Sequence, residues 1–293
     1  MNKQNKDEVL TTIHAAIRDM ESKISRDSKH IYRLNETGEA LQGVSTVSSI
    51  VPKEWLAAWG AKEAVKALGF DDYNDFTIAH EMWKKIIACT TVEEYVAILK
   101  GAKGASARKS KQAMVDGKKG HTWLENFVLA SINPTMPMPE LPVGTPLERP
   151  LKQFLDWQAG EVNYWIASEA LVCNVEHRYA GQLDAIYMSK TGQLCLADFK
   201  FASHISEDYY LQTSGYAACF EPYNISFDNR VIIRLPKTLE SDFWNPKEFK
   251  YQKVPNTIEV AFVPTTYEGD KQAFFSALPL KAWINYVEAF NKK

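Results

Sequence analysis

Several features are absent from this sequence of 293 residues, and each absence excludes a class of protein. Its four cysteines form no C-x-x-C pair, and three of them lie in apolar runs, which indicates reduced, buried thiols in a cytosolic protein. No run approaches the length of about 18 apolar residues that a membrane span needs. The N-terminal residues carry acids and lack an apolar core, so neither a signal peptide nor a transit peptide is expected. We therefore expect a soluble, cytoplasmic protein.

A surplus of positive charge is also missing, because the formal net charge is −2. The molecule as a whole is not basic, so any affinity for nucleic acid has to come from local patches of lysine and arginine. The 45% share of hydrophobic residues supports a substantial core, and 24% charged residues is ordinary for a soluble globular protein. The sequence shows no internal repeat, and its length suits one large domain or two modest ones.

The spacing of apolar residues predicts helices first and strands later. Helices are predicted over residues 7–26, from Trp55 onward, over 76–89, 91–100 and 151–165, near 204–220, and from 270 to 290 with an interruption at Pro279. Strands are predicted as a hairpin around residues 31–41, near 168–176, 179–188 and 193–200, and over 231–235 and 257–263. This order indicates an α/β protein with a helical N-terminal region (1–135), a proline-rich loop (136–150) and a core (151–293), packed as one unit.

Two acidic residues end neighbouring predicted strands and provide the first chemical signal. Asp184 follows Gly181, and Asp198 lies 14 residues later beyond a Ser-Lys-Thr-Gly turn, so a hairpin would bring the two carboxylates together. Lys200 shares a strand face with Asp198 because side chains at i and i+2 point the same way. Facing carboxylates repel, and a hard divalent cation with oxygen ligands is the usual resolution. The pattern indicates a metal-dependent phosphodiesterase site, although a lone D-x-K is more often structural.

Several other polar residues would contribute to catalysis or binding only if they lie near Asp184 and Asp198. Lys200 would stabilise charge on phosphorus or help to position and deprotonate water, and its structural alternative is a salt bridge. Glu169, on an adjacent predicted strand, would orient Lys200 or a water. Gln212 and Tyr216 share a helix face and would bind a phosphate or a base. His121, taken by itself, is an ordinary helix histidine.

This ordered set resembles the PD-(D/E)XK nuclease superfamily, in particular its RecB-like exonuclease branch. The G-x-x-D, (D/E)-x-K and Q-x-x-x-Y motifs of the family match Gly181/Asp184, Asp198/Lys200 and Gln212/Tyr216. The branch also has a G-x-x-H-x-x-x-E type helix, to which the stretch from Lys118 through His121 to Glu125 is similar, and an acid on the first strand, matched by Glu169. Residues 41–50, followed by Trp55 and Trp59, are similar to the opening of phage exonucleases and mitochondrial genome maintenance exonuclease relatives, with Gly43 where proline is usual. The similarity covers roughly residues 40–290.

The resemblance implies a restriction-endonuclease-like core, a mixed central sheet flanked by helices. It implies one or two Mg²⁺ or Mn²⁺ ions held by His121, Asp184, Asp198 and the backbone carbonyl of Phe199, with Lys200 assisting the attacking water. The expected activity is hydrolysis of DNA from free ends, preferably single strands threaded beneath a helical arch. The expected setting is recombination or repair in a bacterial host, with a phage origin and a single-strand-binding or recombination protein as partner.

A basic segment before His121 is expected to line the path of the DNA backbone. Its cations outnumber its single acid, Asp116, and are Lys103, Arg108, Lys109, Lys111, Lys118 and Lys119. The alternative is a solvated helix face. Trp123 and Tyr216 would stack on unpaired bases, although Trp123 is equally expected in the core.

Two other functions remain open from the sequence. One is a structure-specific or sequence-specific endonuclease of the same fold. The other is a non-catalytic nucleic-acid-binding or recombination-accessory protein, against which the complete set of His121, Asp184, Asp198 and Lys200 argues. An unrelated metal-dependent phosphatase fits poorly because no His/Asp-rich cluster accompanies His121.

Overall fold

The computed structural model describes residues 3–70, 77–236, 238–245, 250–264 and 268–291. Their contacts divide the chain into two compact units. Unit 1 comprises Met1–Val51, Gly120–Lys237 and Thr257–Lys293, and unit 2 comprises Pro52–Lys119 and Thr238–Asn256. The first 51 residues therefore fold with the predicted core, whereas the expected boundary lay at residue 135. Within the described ranges, no helix combines the length and apolar character needed to cross a membrane.

The helices and strands follow the predicted order closely. The helices are α1 (Lys3–Lys23), α2 (Val44–Ser48), α3 (Trp55–Ala67), α4 (Thr77–Ile87), α5 (Val92–Lys103), α6 (Ala105–Ile132), α7 (Glu148–Glu161), α8 (Glu207–Ala218) and α9 (Glu268–Asn291). The strands are β1 (Ile24–Arg26), β2 (Tyr32–Leu34), β3 (Ala40–Gly43), β4 (Val162–Asn174), β5 (Tyr179–Ser189), β6 (Leu194–Phe201), β7 (Asn229–Leu235), β8 (Glu240–Asn245), β9 (Lys250–Pro255) and β10 (Glu259–Pro264). Residue 76, where one predicted helix begins, lies outside the described residues.

Unit 1 is a mixed sheet flanked by helices. The strands of the described part follow the order β1-β2-β3-β5-β6-β7-β10, and β4 pairs with β5. The pairs β3–β5 and β6–β7 are parallel, whereas β4–β5, β5–β6 and β7–β10 are antiparallel. The predicted hairpin near residues 31–41 is confirmed as β2 and β3. The fold is thus the mixed α/β arrangement that the sequence indicates.

Among the described residues, two hydrophobic clusters form where the helices cover the sheet. One joins residues of α1, α2, α8 and α9 to β4 and β5, and the other joins residues of α6 and α7 to β6 and β7. Alternation along β6 separates them: Ala197 and Phe199 belong to the second cluster, whereas Leu196 belongs to the first. Asp198 and Lys200 therefore share a strand face with Leu196.

Unit 2 consists of α3, α4 and α5, the first part of α6 and a two-stranded antiparallel hairpin of β8 and β9. The spacing of apolar residues does not predict this hairpin. A capping box at Thr91 and Glu94 starts α5, because each side chain accepts a hydrogen bond from the other residue's backbone. Arg108 Nη2 donates to the carbonyl oxygen of Gly101 at 2.7 Å, near the end of α5.

Several predicted element boundaries are wrong. The helix expected over 7–26 ends at Lys23, because Ile24–Arg26 form strand β1 and pair with β2. The helix expected over 151–165 ends at Glu161, because the following residues pair with β5 and Trp165 is buried in the second cluster. The interruption expected at Pro279 is absent, since α9 runs through this residue. Proline removes one backbone donor from a helix, and the burial of Phe274 and Leu278 holds the preceding turns in place.

Candidate functional site

The hairpin of β5 and β6 sets the position of Asp184. Ala185 pairs with Ala197, which places Asp184 opposite Asp198 at the open end of the hairpin. The Phe199 backbone N–H donates to Asp184 Oδ2 at 2.6 Å, so one carboxylate oxygen is fixed by the neighbouring strand. The proximity expected from the hairpin length is present. Phe199 contacts Asp184 through its backbone N–H. A role for its backbone carbonyl as a metal ligand stays a prediction.

Glu169 lies on β4 across from Asp184, since Ser168 pairs with Ala185 immediately beside them. Like charges at opposing strand positions are destabilising. The backbone of Glu169 has φ of 50°, a left-handed conformation that few residues other than glycine adopt. Strained backbone and opposed carboxylates are features that concentrate at functional sites.

His121 is brought to the acids by a close approach of helix α6 to strand β6. A Cβ atom at Gly120 would lie 2.2 Å from the Phe201 ring, so only glycine allows this approach. The His121 and Phe201 rings meet edge to face, with centroids 5.6 Å apart. The Nδ1 atom of His121 lies 3.9 Å from Asp184 Oδ2. Gly120, which precedes the histidine, is therefore needed for the close packing of α6 on β6.

Ligand atoms of His121, Glu169 and Asp184 all lie within 4.8 Å of one another. An imidazole with two carboxylates is a donor set for a divalent ion such as Mn²⁺ or Mg²⁺. The structure brings together His121 and Asp184 of the predicted ligands and adds Glu169, for which the sequence predicts the role of orienting Lys200 or a water.

Electrostatics favour a cation at this cluster. Burial, together with the charges of Asp184 and Glu125, raises the pKa of Glu169 from an ordinary 4.5 to about 8. Burial also raises the pKa of Asp184, although Lys200 and the Phe199 N–H oppose the change. Glu125 is four residues after His121 on α6, on the same helix face. A bound divalent cation would relieve the repulsion among these carboxylates.

Asp198 and Lys200 form an ion pair in which the lysine side chain is 15% exposed. The Nζ atom of Lys200 lies 2.8 Å from Oδ1 and 2.7 Å from Oδ2 of Asp198, and only the contact with Oδ1 has hydrogen-bond geometry. Asp198 is fully buried. Burial lowers the pKa of Lys200, but Asp198 and Asp184 outweigh it, so the net pKa is raised and the amine stays charged. Asp198 Oδ2 lies against the same ammonium and makes no hydrogen bond among the described residues, so a ligand role for Asp198 stays a prediction.

Gln212 and Tyr216 occupy the helix face that their spacing predicts. Gln212 Nε2 donates to Tyr216 Oη at 3.0 Å, and Tyr216 is only 4% exposed. The stacking of Tyr216 on an unpaired base, expected from the sequence, does not fit this burial. Trp123 stacks on Phe127 and donates to the Glu140 carbonyl at 2.8 Å, so it packs in the manner expected of a core residue.

The predicted DNA-binding cations of the basic segment all belong to unit 2, whereas the acid cluster belongs to unit 1. Two of these cations have partners within their own unit. Lys109 forms an ion pair with the buried Glu63, and Arg108 bonds the carbonyl of Gly101. The other four, Lys103, Lys111, Lys118 and Lys119, are exposed on α5 and α6.

Some residues of the site carried no signal in the sequence. Tyr209 lies with its ring centroid 5.1 Å from Lys200 Nζ, a cation–π contact made by α8. Arg26 lies close enough to Glu169 to oppose the rise in its pKa that burial causes. Gln182 donates to the Glu169 backbone carbonyl at 2.9 Å. Gln182 stands inside the G-x-x-D motif, but its residue type is not specified there.

Comparison with known proteins yields a weak structural similarity for this chain. No protein-family model and no curated protein sequence matches it. Among solved structures it is similar to an alkaline exonuclease, LHK-Exo, from Laribacter hongkongensis, with 12% identity and a TM-score of 0.27. The alignment covers 48% of this chain and 70% of that exonuclease. A likeness at this level carries no argument about activity, so the functional conclusion rests on the site itself.

Proposed function

We propose that the chain is a deoxyribonuclease of the PD-(D/E)XK type that depends on Mg²⁺ or Mn²⁺ and hydrolyses phosphodiester bonds from free DNA ends. The observation that carries this proposal is the cluster of His121, Glu169 and Asp184 beside the Asp198–Lys200 ion pair. Buried opposed carboxylates destabilise a protein unless a cation or a proton compensates them. A cation site with an adjacent fixed ammonium suits chemistry on a phosphate diester.

The residues that would hold the ion are His121, Glu169 and Asp184, with Asp198 Oδ2 as a further oxygen ligand. When bound, a divalent ion supplies Lewis-acid stabilisation of charge on phosphoryl oxygens. The donor set fits such an ion because it is anionic, confined and rich in oxygen.

Lys200 would act as a fixed positive charge on the substrate phosphate. Its raised pKa keeps it protonated at neutral pH, so stabilising anionic oxygen suits it better than removing a proton from water. Asp198 holds the ammonium in place through the contact at 2.8 Å. The ring of Tyr209 borders the ammonium and would restrict the directions from which a phosphate approaches.

The exposed lysines of the basic segment, Lys103, Lys111, Lys118 and Lys119, would contact the DNA backbone without reading its sequence. Arg108 and Lys109 suit this role less well, because they already bond Gly101 and Glu63. Preference for single strands, and a place in phage or bacterial recombination or repair, form part of the same proposal.

An end-labelled digestion series tests this function. Linear single-stranded, linear duplex and circular single-stranded DNA are incubated with the protein in Mg²⁺ and in excess EDTA. We expect Mg²⁺-dependent loss of the linear substrates and survival of the circle. Cleavage of the circle would show an endonuclease instead. Absence of cleavage, together with absence of Mn²⁺ binding in calorimetry, would favour a non-catalytic accessory protein.

A further inference from the structure

The backbone of Glu169 is left-handed in the middle of a long strand. Its neighbours Ser168 and Ala170 pair regularly with β5, so the distortion is confined to one residue. A left-handed conformation is unfavourable for a residue other than glycine, and it persists only when surrounding contacts enforce it. Some specific contact must therefore hold Glu169 in this conformation.

The contact comes from Gln182 on β5. Its Nε2 atom donates to the Glu169 carbonyl oxygen at 2.9 Å, and its own Oε1 accepts from Arg26 Nη1 on β1. Both ends of the Gln182 amide are thus engaged. Gln182 pairs along the ladder with Leu171, two residues beyond Glu169, which lets its side chain reach back to that carbonyl. A chain of two hydrogen bonds links β1, β5 and the distorted point of β4.

This arrangement does not serve stability alone. The Nε atom of Arg26 is buried without a hydrogen-bond partner among the described residues. A buried donor without a partner destabilises the folded state. Two unfavourable features, the unpaired Nε of Arg26 and the left-handed backbone of Glu169, are therefore connected through Gln182 beside the acid cluster. Such departures from the most stable arrangement are expected where function requires them.

We propose that Gln182 and Arg26 are positioning residues that hold the Glu169 backbone left-handed and so keep its carboxylate beside His121 and Asp184. This inference rests on the proposed function, since it assigns these residues to the same cation site. Neither residue is a ligand. Gln182 bonds the main chain of Glu169, and Arg26 orients Gln182.

Calorimetric titration with Mn²⁺ tests the proposal without reference to cleavage. Gln182→Leu keeps the approximate size and removes both hydrogen bonds, whereas Arg26→Gln leaves Gln182 in place without its partner. We expect Gln182→Leu to weaken Mn²⁺ binding by about 10-fold to 100-fold, the range found for residues that orient metal ligands. Arg26→Gln should weaken it less, and Arg26→Lys should recover part of that loss.

A double-mutant cycle separates positioning from general damage to the fold. In a Glu169→Gln background the ligand charge is already lost, so adding Gln182→Leu should change Mn²⁺ affinity little. A persistent 10-fold effect in that background would overturn the proposal. The matched control is Arg178→Gln, which removes an arginine paired with Glu39 in the same unit and should leave Mn²⁺ affinity unchanged.

The outcomes distinguish this proposal from the proposed function. If the wild-type protein binds no Mn²⁺, the cation site itself fails. If the wild type binds and Glu169→Gln weakens binding, but Gln182→Leu and Arg26→Gln do not, only the positioning proposal fails. Should Gln182→Leu not fold, Arg26→Gln carries the same test.

Discussion

The ring of Tyr216 fills the space that a side chain at residue 181 would need. A Cβ atom on Gly181 would lie 2.5 Å from Tyr216 Cε1, well inside contact distance. The Gln212 amide donates to the tyrosine hydroxyl within α8, and the tyrosine ring packs on β5 three residues before Asp184. The glycine of the G-x-x-D stretch and the tyrosine of the Q-x-x-x-Y stretch are thus two halves of one packing contact.

Gly181→Ala should therefore destabilise the protein by about 1–3 kcal/mol, the usual cost of overpacking a core. Urea unfolding measures the change. Gly160→Ala is the matched control, because nothing lies within 4 Å of its Cβ position in α7 and alanine favours a helix. Equal stabilities for Gly181→Ala and the wild type would show that Tyr216 does not require the glycine.

Lys200→Met should make stability more sensitive to pH. Asp198 would lose its ammonium partner inside the protein, and its pKa would rise further above the unfolded value. A raised carboxyl pKa in the folded state means that stability is retained at low pH and lost as pH rises. The variant should lie near the wild type at pH 5 and fall behind it by about 3 kcal/mol at pH 8. The double variant Asp198→Asn/Lys200→Met should lack this additional pH dependence.

Glu169 should link metal binding to pH. In the metal-free protein its pKa is about 8 instead of 4.5, so the folded state gains stability from its proton below pH 5 and loses it as pH rises towards 8. The melting temperature of the wild type relative to Glu169→Gln should accordingly fall from pH 5.5 to pH 8 in EDTA. Saturating Mn²⁺ should reverse this trend, because the ion requires the deprotonated carboxylate. A difference that is independent of pH in EDTA would contradict the assignment.

The lysines of the basic segment should separate into two groups. Lys109→Ala leaves Glu63 buried without its partner and should cost about 1–3 kcal/mol in unfolding free energy. Lys111→Ala, on the same helix and exposed, should leave stability unchanged. It should instead weaken binding of single-stranded DNA and reduce the slope of log K against log salt by about 0.7. Fluorescence anisotropy at several salt concentrations measures that slope, and an unchanged slope would remove Lys111 from the DNA contact.

The sequence was informative wherever local rules determine geometry. The length of the turn between β5 and β6 is enough to predict that Asp184 and Asp198 lie opposite each other. The spacing of four residues on a helix is enough to predict that Gln212 and Tyr216 are neighbours. In each case the two residues are close in the chain, so strand or helix periodicity determines their relation.

Contacts between distant segments could not be predicted in this way. Strand β1 has only three residues, and nothing in them indicates that Arg26 reaches Gln182 on another strand. The left-handed backbone of Glu169 follows from that contact, since glutamate has no intrinsic preference for it. The pairing of Lys109 with Glu63 could not be predicted for the same reason, and the sequence alone places this lysine on the path of the DNA backbone.

The rate of label release from linear single-stranded DNA shows whether this site hydrolyses DNA with a divalent ion. The wild type should degrade the substrate in Mg²⁺ and not in EDTA. Asp184→Asn keeps the shape of the side chain while losing its charge, and should lower the rate by at least about 100-fold. Undiminished release by Asp184→Asn, or no release by the wild type in either Mg²⁺ or Mn²⁺, would contradict the account.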